Sequence, residues 1–440
     1  MTAARRRFSA IRDLPTAIWL LLLLIAAIAH RALPMPGWLM LHLLFLGAIT
    51  HSILVWSQYF TSAVLHRPLT PTGQRWHTIG LASANLGAVA VIIGVLTAVW
   101  PLTIAGGALV AAAALRQMIA FVQSQRGAAS GQFAGITNFY VVAALLFLVG
   151  ITLGVWAASP QLANGQVVLA HALINVLGWV GITVAGTLVT LWPTMLRTRA
   201  AAGSTARALR ALPLLGAGVA IAATGAATGR VVLLVLGLAA YLAGLVTLGF
   251  SLWREAASRR PERFAALSAG AAWLWWVGII VMLIVQAVVV WTNGTDVAAL
   301  RLALSSVAPY LAAGFGAQVL LGALSYLLPV ALGGGPAAVR IGNDVYDRWA
   351  VGRVVAANLA LVVCALPVSS VTRVVASIIY LIAVASFLPL MVIAMRAQHG
   401  ARRAASDPVI PRTEPASTRP APRPVAQATV GVVVVALAVA

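Results

Sequence analysis

The chain has 440 residues, of which 62% are hydrophobic and only 8% are charged, and its formal net charge is +21. A water-exposed globular surface needs a far larger share of charged side chains, so this composition excludes a soluble domain. All 29 basic residues are arginine, dispersed among short loops. That dispersal argues against a nucleic-acid-binding surface.

Apolar runs of 18 residues or more recur along the sequence, and each is long enough to cross a hydrocarbon core of about 30 Å as a helix. The sequence therefore predicts an all-α, polytopic membrane helical bundle of about twelve transmembrane helices. The predicted spans lie near 14–33, 37–65, 78–100, 102–122, 138–158, 167–195, 211–229, 231–253, 268–291, 302–331, 350–369 and 374–396. The first run continues as an anchor without a clear small-residue cleavage site, so no cleavable signal peptide is predicted.

The C-terminal part has a different composition. We divide the chain into a twelve-helix transmembrane domain over 1–397, a Pro/Ala/Arg-rich cytoplasmic linker over 398–428, and the start of a thirteenth transmembrane helix over 429–440. The last twelve residues, TVGVVVVALAVA, are too few to span a bilayer as a helix. We therefore expect the chain to be the front part of a longer protein.

The positions of the arginines predict the orientation. They precede the first span, cluster in the loops at 66–77, 197–210 and 254–263, and follow the last span. The arginines on the opposite side are Arg31, Arg230, Arg301 and Arg373. The positive-inside rule therefore predicts a multi-pass protein of the plasma membrane with a cytoplasmic N-terminus.

Long apolar segments recur at every fourth span with their glycines and prolines in register. Span 6 reads HALINVLGWVGITVAGTLVTLWPTMLR, and span 10 reads YLAAGFGAQVLLGALSYLLPVALGGGP. Aligning Gly178 with Gly314 also aligns Pro193 with Pro329, and span 2 joins more weakly through Gly47. This register predicts three four-helix units.

The positions of the acidic residues and of the single cysteine limit the kinds of functional site that this chain could form. The eight Asp and Glu residues lie in predicted loops, termini or the tail, so no carboxylate lies within a span. Ion-coupled carriers usually need a buried ionisable group, which disfavours that class. The single cysteine, Cys364, excludes an intrachain disulfide and a cysteine-ligated cluster.

Histidines supply the candidate ligands. His30 ends span 1 on the outer side, while His42 and His171 lie a few residues inside spans that start there, within roughly 10 Å of that surface. Three imidazoles at one depth suit haem iron or copper, so His42, His171 and His30 are the candidate metal ligands. His51 is a further candidate for cofactor binding. It lies nine residues past His42 on nearly the opposite helix face, so the two cannot share a metal without a helix break.

The alternative is that these histidines hydrogen-bond neighbouring helices and hold no cofactor. Tryptophans such as Trp38, Trp100, Trp156 and Trp291 lie near span ends, where we expect them to anchor the interface. The small-residue step from Gly150 to Gly154 fits close helix packing.

Two segments carry a resemblance to known proteins. HLLFLGAITHSILVWSQYF and HALINVLGWVGITVAGTLVTLWPTMLRTR resemble the membrane region of bacterial multicopper oxidases or copper nitrite reductases, in which a cupredoxin pair follows on the extracytoplasmic side. The plan of twelve spans with histidines on spans 2 and 6 more distantly resembles subunit I of haem-copper oxidases and nitric oxide reductases. NnrS-type membrane proteins look similar in plan.

The resemblance to haem-copper oxidases implies a haem-ligating histidine on span 2, matched by His42 or His51, and a copper-ligating histidine on span 6, matched by His171. That family also needs a histidine pair on span 7 and two histidines on span 10. Neither span contains a histidine here, and span 10 offers Tyr310 and Gln318 instead. A complete oxygen-reducing binuclear centre is therefore excluded.

Three functional hypotheses follow. The favoured one is a redox module that binds haem or copper and passes electrons to an extracytoplasmic cupredoxin domain, fused or separate, as part of an oxidoreductase rather than as an enzyme alone. The second is a cofactor-free membrane anchor and assembly platform. The third is a small-solute carrier with a polar lining from Asn175, Thr183, Ser306 and Gln318.

Overall fold

The structure is a computed structural model, and it describes residues 10–126, 131, 133–162, 164–294, 305–406 and 423–439. Every regular element in these ranges is a helix. The predicted all-α, polytopic class is therefore confirmed. The predicted start of span 10 at residue 302 and most of the predicted linker lie outside the described residues.

The first ten helices follow the predicted spans. They are α1 (Leu14–Ile28), α2 (Pro36–Val64), α3 (Pro71–Leu96), α4 (Trp100–Gln125), α5 (Ala134–Ala157), α6 (Gly165–Leu196), α7 (Ser204–Thr228), α8 (Val231–Ser258), α9 (Phe264–Thr292) and α10 (Ser305–Leu332). Then come α11 (Gly335–Tyr346), α12 (Ala350–Ala365), α13 (Ser370–Ala385), α14 (Phe387–Ser406) and α15 (Pro424–Val439).

The described helices include eleven stretches that are long and apolar enough to cross a membrane, if α11–α12 and α13–α14 each count as one continuous stretch. The helix α1 is also apolar but has only 15 residues. These lengths and compositions are those of a multi-pass membrane protein.

Side-chain caps fix where several helices begin. The Thr70 hydroxyl accepts a hydrogen bond from the Gly73 amide at the start of α3, at 3.1 Å. The Asn164 side chain accepts one from the Val167 amide at the start of α6, at 2.8 Å. Because the first amides of a helix have no partner within it, such caps determine the first helical residue.

Two parts of the C-terminal region differ from the prediction. The amphipathic helix α11 packs against α14 in a stretch for which no helix was predicted. It is short and carries Arg340 and Asp344, so a search for long apolar runs passes over it. In the predicted linker, α14 continues as helix to Ser406, and α15 begins at Pro424, before the predicted residue 429.

Three membrane helices contain a π-helical segment. The segments are Leu43–Ile49 in α2, Ile174–Gly181 in α6 and Leu311–Ala317 in α10. Each of them contains one of the three aligned glycines, Gly47, Gly178 and Gly314. π-segments are rare and add one residue to a helical turn, so their recurrence at the repeat register supports the plan of three four-helix units.

The chain forms two compact units. The large unit contains Pro15–Arg259 and Trp276–Ala312, and the small unit contains Arg260–Trp275, Ala313–Ala440 and the N-terminal residues up to Leu14. In the large unit, α3 and α4 come into backbone contact at Gly87, where an added Cβ would lie 2.6 Å from the Gly106 carbonyl oxygen. The candidate site lies wholly within the large unit.

Candidate cofactor site

His42 of α2 and His171 of α6 meet inside the large unit. Each lies six residues after the first residue of its helix, Pro36 or Gly165. Their ring centroids are 6.3 Å apart and their ring planes differ by 11°. The structure thus brings together two of the three histidines that the sequence placed at one depth, and their role as ligands stays a prediction.

Backbone carbonyls orient both imidazoles. The Nδ1 of His42 lies 2.8 Å from the Trp38 carbonyl oxygen, and the Nδ1 of His171 lies 2.9 Å from the Gly150 carbonyl oxygen. A carbonyl oxygen only accepts, so the Nδ1 of His42 carries the proton and its Nε2 keeps its lone pair. The shorter contact of the His171 Nδ1, to Gly150, favours the same tautomer, although the Asn175 Nδ2 lies 3.1 Å from that Nδ1. This arrangement is typical of metal-ligating histidines, whose other nitrogen donates to a carbonyl or carboxylate.

Neighbouring residues hold the two rings in place. The Trp38 ring stacks on the His42 ring, with centroids 4.0 Å apart and an interplanar angle of 24°. The Asn175 Nδ2 donates to the His171 carbonyl oxygen at 2.8 Å, one turn further along α6. Trp38 was predicted as an interfacial anchor, and here it also covers one face of a candidate ligand.

Two glycines of α5 provide the space for these side chains. A Cβ added to Gly154 would lie 2.6 Å from the His171 Cε1, and one added to Gly150 would lie 2.5 Å from the Asn175 Oδ1. Real Cβ atoms do not approach neighbours so closely, so larger residues at these positions would displace the α6 side chains. Gly150 and Gly154, which the sequence predicted to serve close helix packing, therefore leave the space that the Asn175 and His171 side chains occupy.

His42 and His171 face a cavity of about 490 Å³. Its lining is mostly apolar and includes no charged side chain among the described residues; the polar members are His42, His171, Thr50, Thr103 and Asn175. Pockets of roughly 300–1,000 Å³ are the usual size for cofactors and small ligands. The cavity therefore has room for much more than a bare ion.

The π-segments of α2 and α6 contribute one wall of the cavity. The Thr50 hydroxyl, just after the first π-segment, donates to the Phe45 carbonyl oxygen at 2.8 Å and accepts from the Trp179 indole at 3.0 Å. Trp179 in turn stacks on Phe147 of α5, with ring centroids 4.4 Å apart and nearly parallel planes. All four residues line the cavity.

The other two candidate histidines lie elsewhere. His51 is buried, and its Nδ1 lies 2.8 Å from the Asn85 Nδ2. His30 is exposed at the end of α1, with its Nδ1 2.9 Å from the Ala27 carbonyl oxygen. Neither residue is part of the cavity lining, so the geometry singles out the pair of His42 and His171.

The separation of the two rings is compatible with one shared metal. A metal–imidazole bond measures about 2.0–2.1 Å and a ring nitrogen lies roughly 1.1 Å from its centroid, so one metal bound to both rings allows centroids up to roughly 6.4 Å apart. The observed 6.3 Å falls within that limit. Among the described residues, no group of three or more His, Cys, Asp or Glu side chains is placed to hold a metal ion.

The sequence did not reveal the wall residues Thr50, Phe147 and Trp179, nor the space that Gly154 leaves for the His171 ring. Their contacts join different helices, and hydropathy does not reveal which way each helix is turned. The alignment of Gly47 with Gly178 was the one available indication, because both glycines mark π-segments that border the cavity.

No protein-family model matches this sequence, and a search of curated proteins finds no match either. The contacts around His42 and His171 are therefore the observations on which a functional conclusion depends.

Proposed function

We propose that the chain is an integral membrane redox module that holds a metal cofactor between His42 and His171 and passes electrons to an extracytoplasmic copper oxidase or nitrite reductase. The observation that carries this proposal is the pairing of two imidazoles, each with Nδ1 within hydrogen-bond distance of a backbone carbonyl oxygen, beside a mostly apolar cavity.

Two kinds of metal centre fit a site with two imidazole ligands. Zinc and divalent copper usually take more ligands from the protein than this site offers. Haem iron needs at most two axial ligands from the protein, because the porphyrin supplies the others, and monovalent copper accepts as few as two ligands. The cavity volume of about 490 Å³ favours haem over a bare copper ion.

The lining also limits how a haem would sit. With no arginine or other charged side chain among the described lining residues, the cavity offers no ionic partner to haem propionates. Phe45 and Phe147 would provide apolar surroundings for the haem ring. When bound, either metal would supply one-electron oxidation and reduction.

The residues of the chain then have defined roles. His42 and His171 would be the ligands through Nε2, and the carbonyl oxygens of Trp38 and Gly150 would keep each imidazole in the binding tautomer. The apolar lining would exclude water and thereby influence the potential of the metal.

The partner and the orientation belong to the same proposal. The arginine distribution supports a cytoplasmic N-terminus in the plasma membrane, and it places His42 and His171 near the extracytoplasmic surface. A cofactor at that depth would lie close to a cupredoxin domain, fused or separate, outside the membrane.

A second candidate function is binding of a small neutral solute. The cavity is mostly apolar and carries a few polar groups, Thr50, Thr103 and Asn175, beside the two histidines. Such a lining would suit an apolar molecule with one hydrogen-bonding group.

The deciding experiment is a reduced-minus-oxidised visible spectrum of the detergent-purified protein, with haem extraction and copper analysis of the same sample. We expect a haem band, or copper in stoichiometric amount, that is lost in His42→Ala and in His171→Ala. His399→Ala, a change at an exposed histidine of α14, should retain the cofactor in full, and His30→Ala tests the third candidate ligand.

A colourless, metal-free protein that is well folded would contradict the redox proposal. The small-solute function or a cofactor-free anchor would then remain, and the two histidine variants would change only stability.

A further inference from the structure

Outside the cavity, the large unit contains a network of three side chains from three helices, of which Trp19 and His51 are buried and Asn85 is half-buried. The Trp19 indole of α1 donates to the Asn85 Oδ1 of α3 at 2.8 Å. The Asn85 Nδ2 lies 2.8 Å from the Nδ1 of His51 on α2 and 2.6 Å from the Leu81 carbonyl oxygen.

The small unit contains a network of the same design. The Trp275 indole of α9 donates to the Asn358 Oδ1 of α12 at 2.7 Å. The Asn358 Nδ2 donates to the Gln318 Oε1 of α10 at 2.9 Å and to the Val354 carbonyl oxygen at 2.7 Å.

The two networks occupy matching positions in the repeat. His51 follows Gly47 by four residues and Gln318 follows Gly314 by four residues. A Cβ added to either glycine would lie 2.6 Å from a ring atom of the network tryptophan, Trp19 or Trp275 respectively. His51 and Gln318 are therefore structural equivalents, each placed just after a π-segment.

The middle repeat lacks this network. Gly178 faces Leu146, and the residue four positions after it is Ile182, which is fully buried. The polar network is thus specific to the first and third repeats, while the middle repeat contributes His171 to the cavity.

Donor and acceptor chemistry fixes the state of His51. An indole N–H only donates, so the Asn85 atom next to Trp19 is the oxygen, and the Asn85 atom next to His51 is the amide nitrogen. That amide nitrogen also only donates, so the His51 Nδ1 accepts and the ring proton lies on Nε2. This tautomer is opposite to that of His42, whose Nδ1 faces a carbonyl oxygen.

From these observations we infer that His51 is a positioning residue that acts as an imidazole substitute for Gln318, and that it is not a metal ligand. Its Nδ1 lone pair is engaged by Asn85, and its Nε2 carries the proton. Its role is to join α2 to α3 just after the π-segment, whose Phe45 lines the cavity together with the following Thr50. The inference does not rest on the proposed redox function.

The test is a set of substitutions at equivalent positions, read out by thermal unfolding of the purified protein in detergent. Glutamine offers an acceptor at the same place, so His51→Gln should unfold within about 0.5 °C of the unchanged protein, and Gln318→His should do the same. His51→Leu leaves the Asn85 amide without its acceptor and should lower the unfolding temperature by about 1–3 °C.

A second readout separates positioning from ligation. His51→Gln should keep the full haem or copper content of the unchanged protein, whereas a ligand could not be replaced by glutamine without loss. The inference is overturned if His51→Gln unfolds as early as His51→Leu, if His51→Leu is as stable as the unchanged protein, or if His51→Gln loses the cofactor. The stability comparison decides the question even for a protein that binds no metal.

Discussion

At the scale of single residues, Gly154 of α5 lies directly against a ring of the candidate site. Its Cα faces the His171 ring, and the next glycine towards the N-terminus, Gly150, faces Asn175 and supplies the carbonyl that binds the His171 Nδ1. One turn of α5 therefore provides both the space for the imidazole and the acceptor that orients it.

We predict that Gly154→Ala displaces His171 and reduces cofactor occupancy by at least about tenfold, with a destabilisation of about 1–3 kcal/mol from overpacking. The imidazole is rigid, so it cannot yield by rotating a flexible end. Cofactor content per mole of purified protein measures the effect.

The matched control is Gly278→Ala in α9, where an added Cβ meets no atom within 4 Å. This variant should retain full occupancy, and its stability should rise slightly, because alanine favours helix over glycine. Full occupancy in Gly154→Ala would show that the contact with His171 does not govern binding.

Part of the site was accessible from the sequence. Counting residues from the start of each apolar run placed His42 and His171 at one depth, and the structure confirms that they meet. The count says nothing about helix rotation, so it did not separate His30 from the pair. It also could not show that Asn85 engages His51, because that bond joins two helices.

At the scale of helices, the π-segments decide which way the ligands face. A π-segment holds one extra residue, so the residues before and after it face as they would in a regular helix with one residue fewer between them, a difference of about 100° from a simple count. In α2 this difference falls between His42, which faces the cavity, and His51, which bonds to α3. The sequence argument assumed a regular helix over this stretch, so it could not describe the turn.

We predict that deleting Ala48 converts the π-segment of α2 into regular α-helix while His42 keeps its direction towards His171, because the π-segment holds one extra residue, so the cofactor is retained. Haem extraction and copper analysis of the purified variant measure the retained cofactor. The deletion also shifts buried side chains, so reduced stability alone would not be informative.

The control for this deletion is an insertion at the same place. One alanine inserted after Ala48 adds a further residue beyond the one that the π-segment already holds, and it should turn His42 by about 100° and abolish cofactor binding. Equal cofactor content in the two variants would mean that the direction of His42 does not govern binding.

Apolar runs were sufficient to locate most helices. A segment that crosses lipid must be apolar and long enough to span it, and it must be helical because only then are its backbone groups hydrogen-bonded without water. The same criterion cannot detect α11, whose polar face and short length resemble a loop. The π-segments escape it too, since hydropathy does not report the hydrogen-bond pattern inside a helix.

At the scale of the whole molecule, the fold class follows from composition, whereas orientation depends on the arginine distribution alone. Arg31 lies between α1 and α2, and Arg199 lies between α6 and α7; both are exposed. The positive-inside rule places these two loops on opposite sides of the membrane.

We predict that a membrane-impermeant maleimide labels Arg31→Cys in intact cells and labels Arg199→Cys only after the cells are opened. Cys364→Ala, which removes the single native thiol, is the background for both variants. Labelling of Arg199→Cys in intact cells would mean that the orientation is opposite to the predicted one and that the histidine pair lies near the cytoplasm.

The π-segments also bear on how this protein arose. A π-segment lies at the matching glycine in α2, α6 and α10. The simplest history is a single one-residue insertion in an ancestral four-helix unit, copied when that unit was triplicated. His42, however, precedes Gly47 by five residues, whereas His171 precedes Gly178 by seven. In this register the two histidines occupy different positions of the repeat, so copying of one unit does not by itself account for the pair.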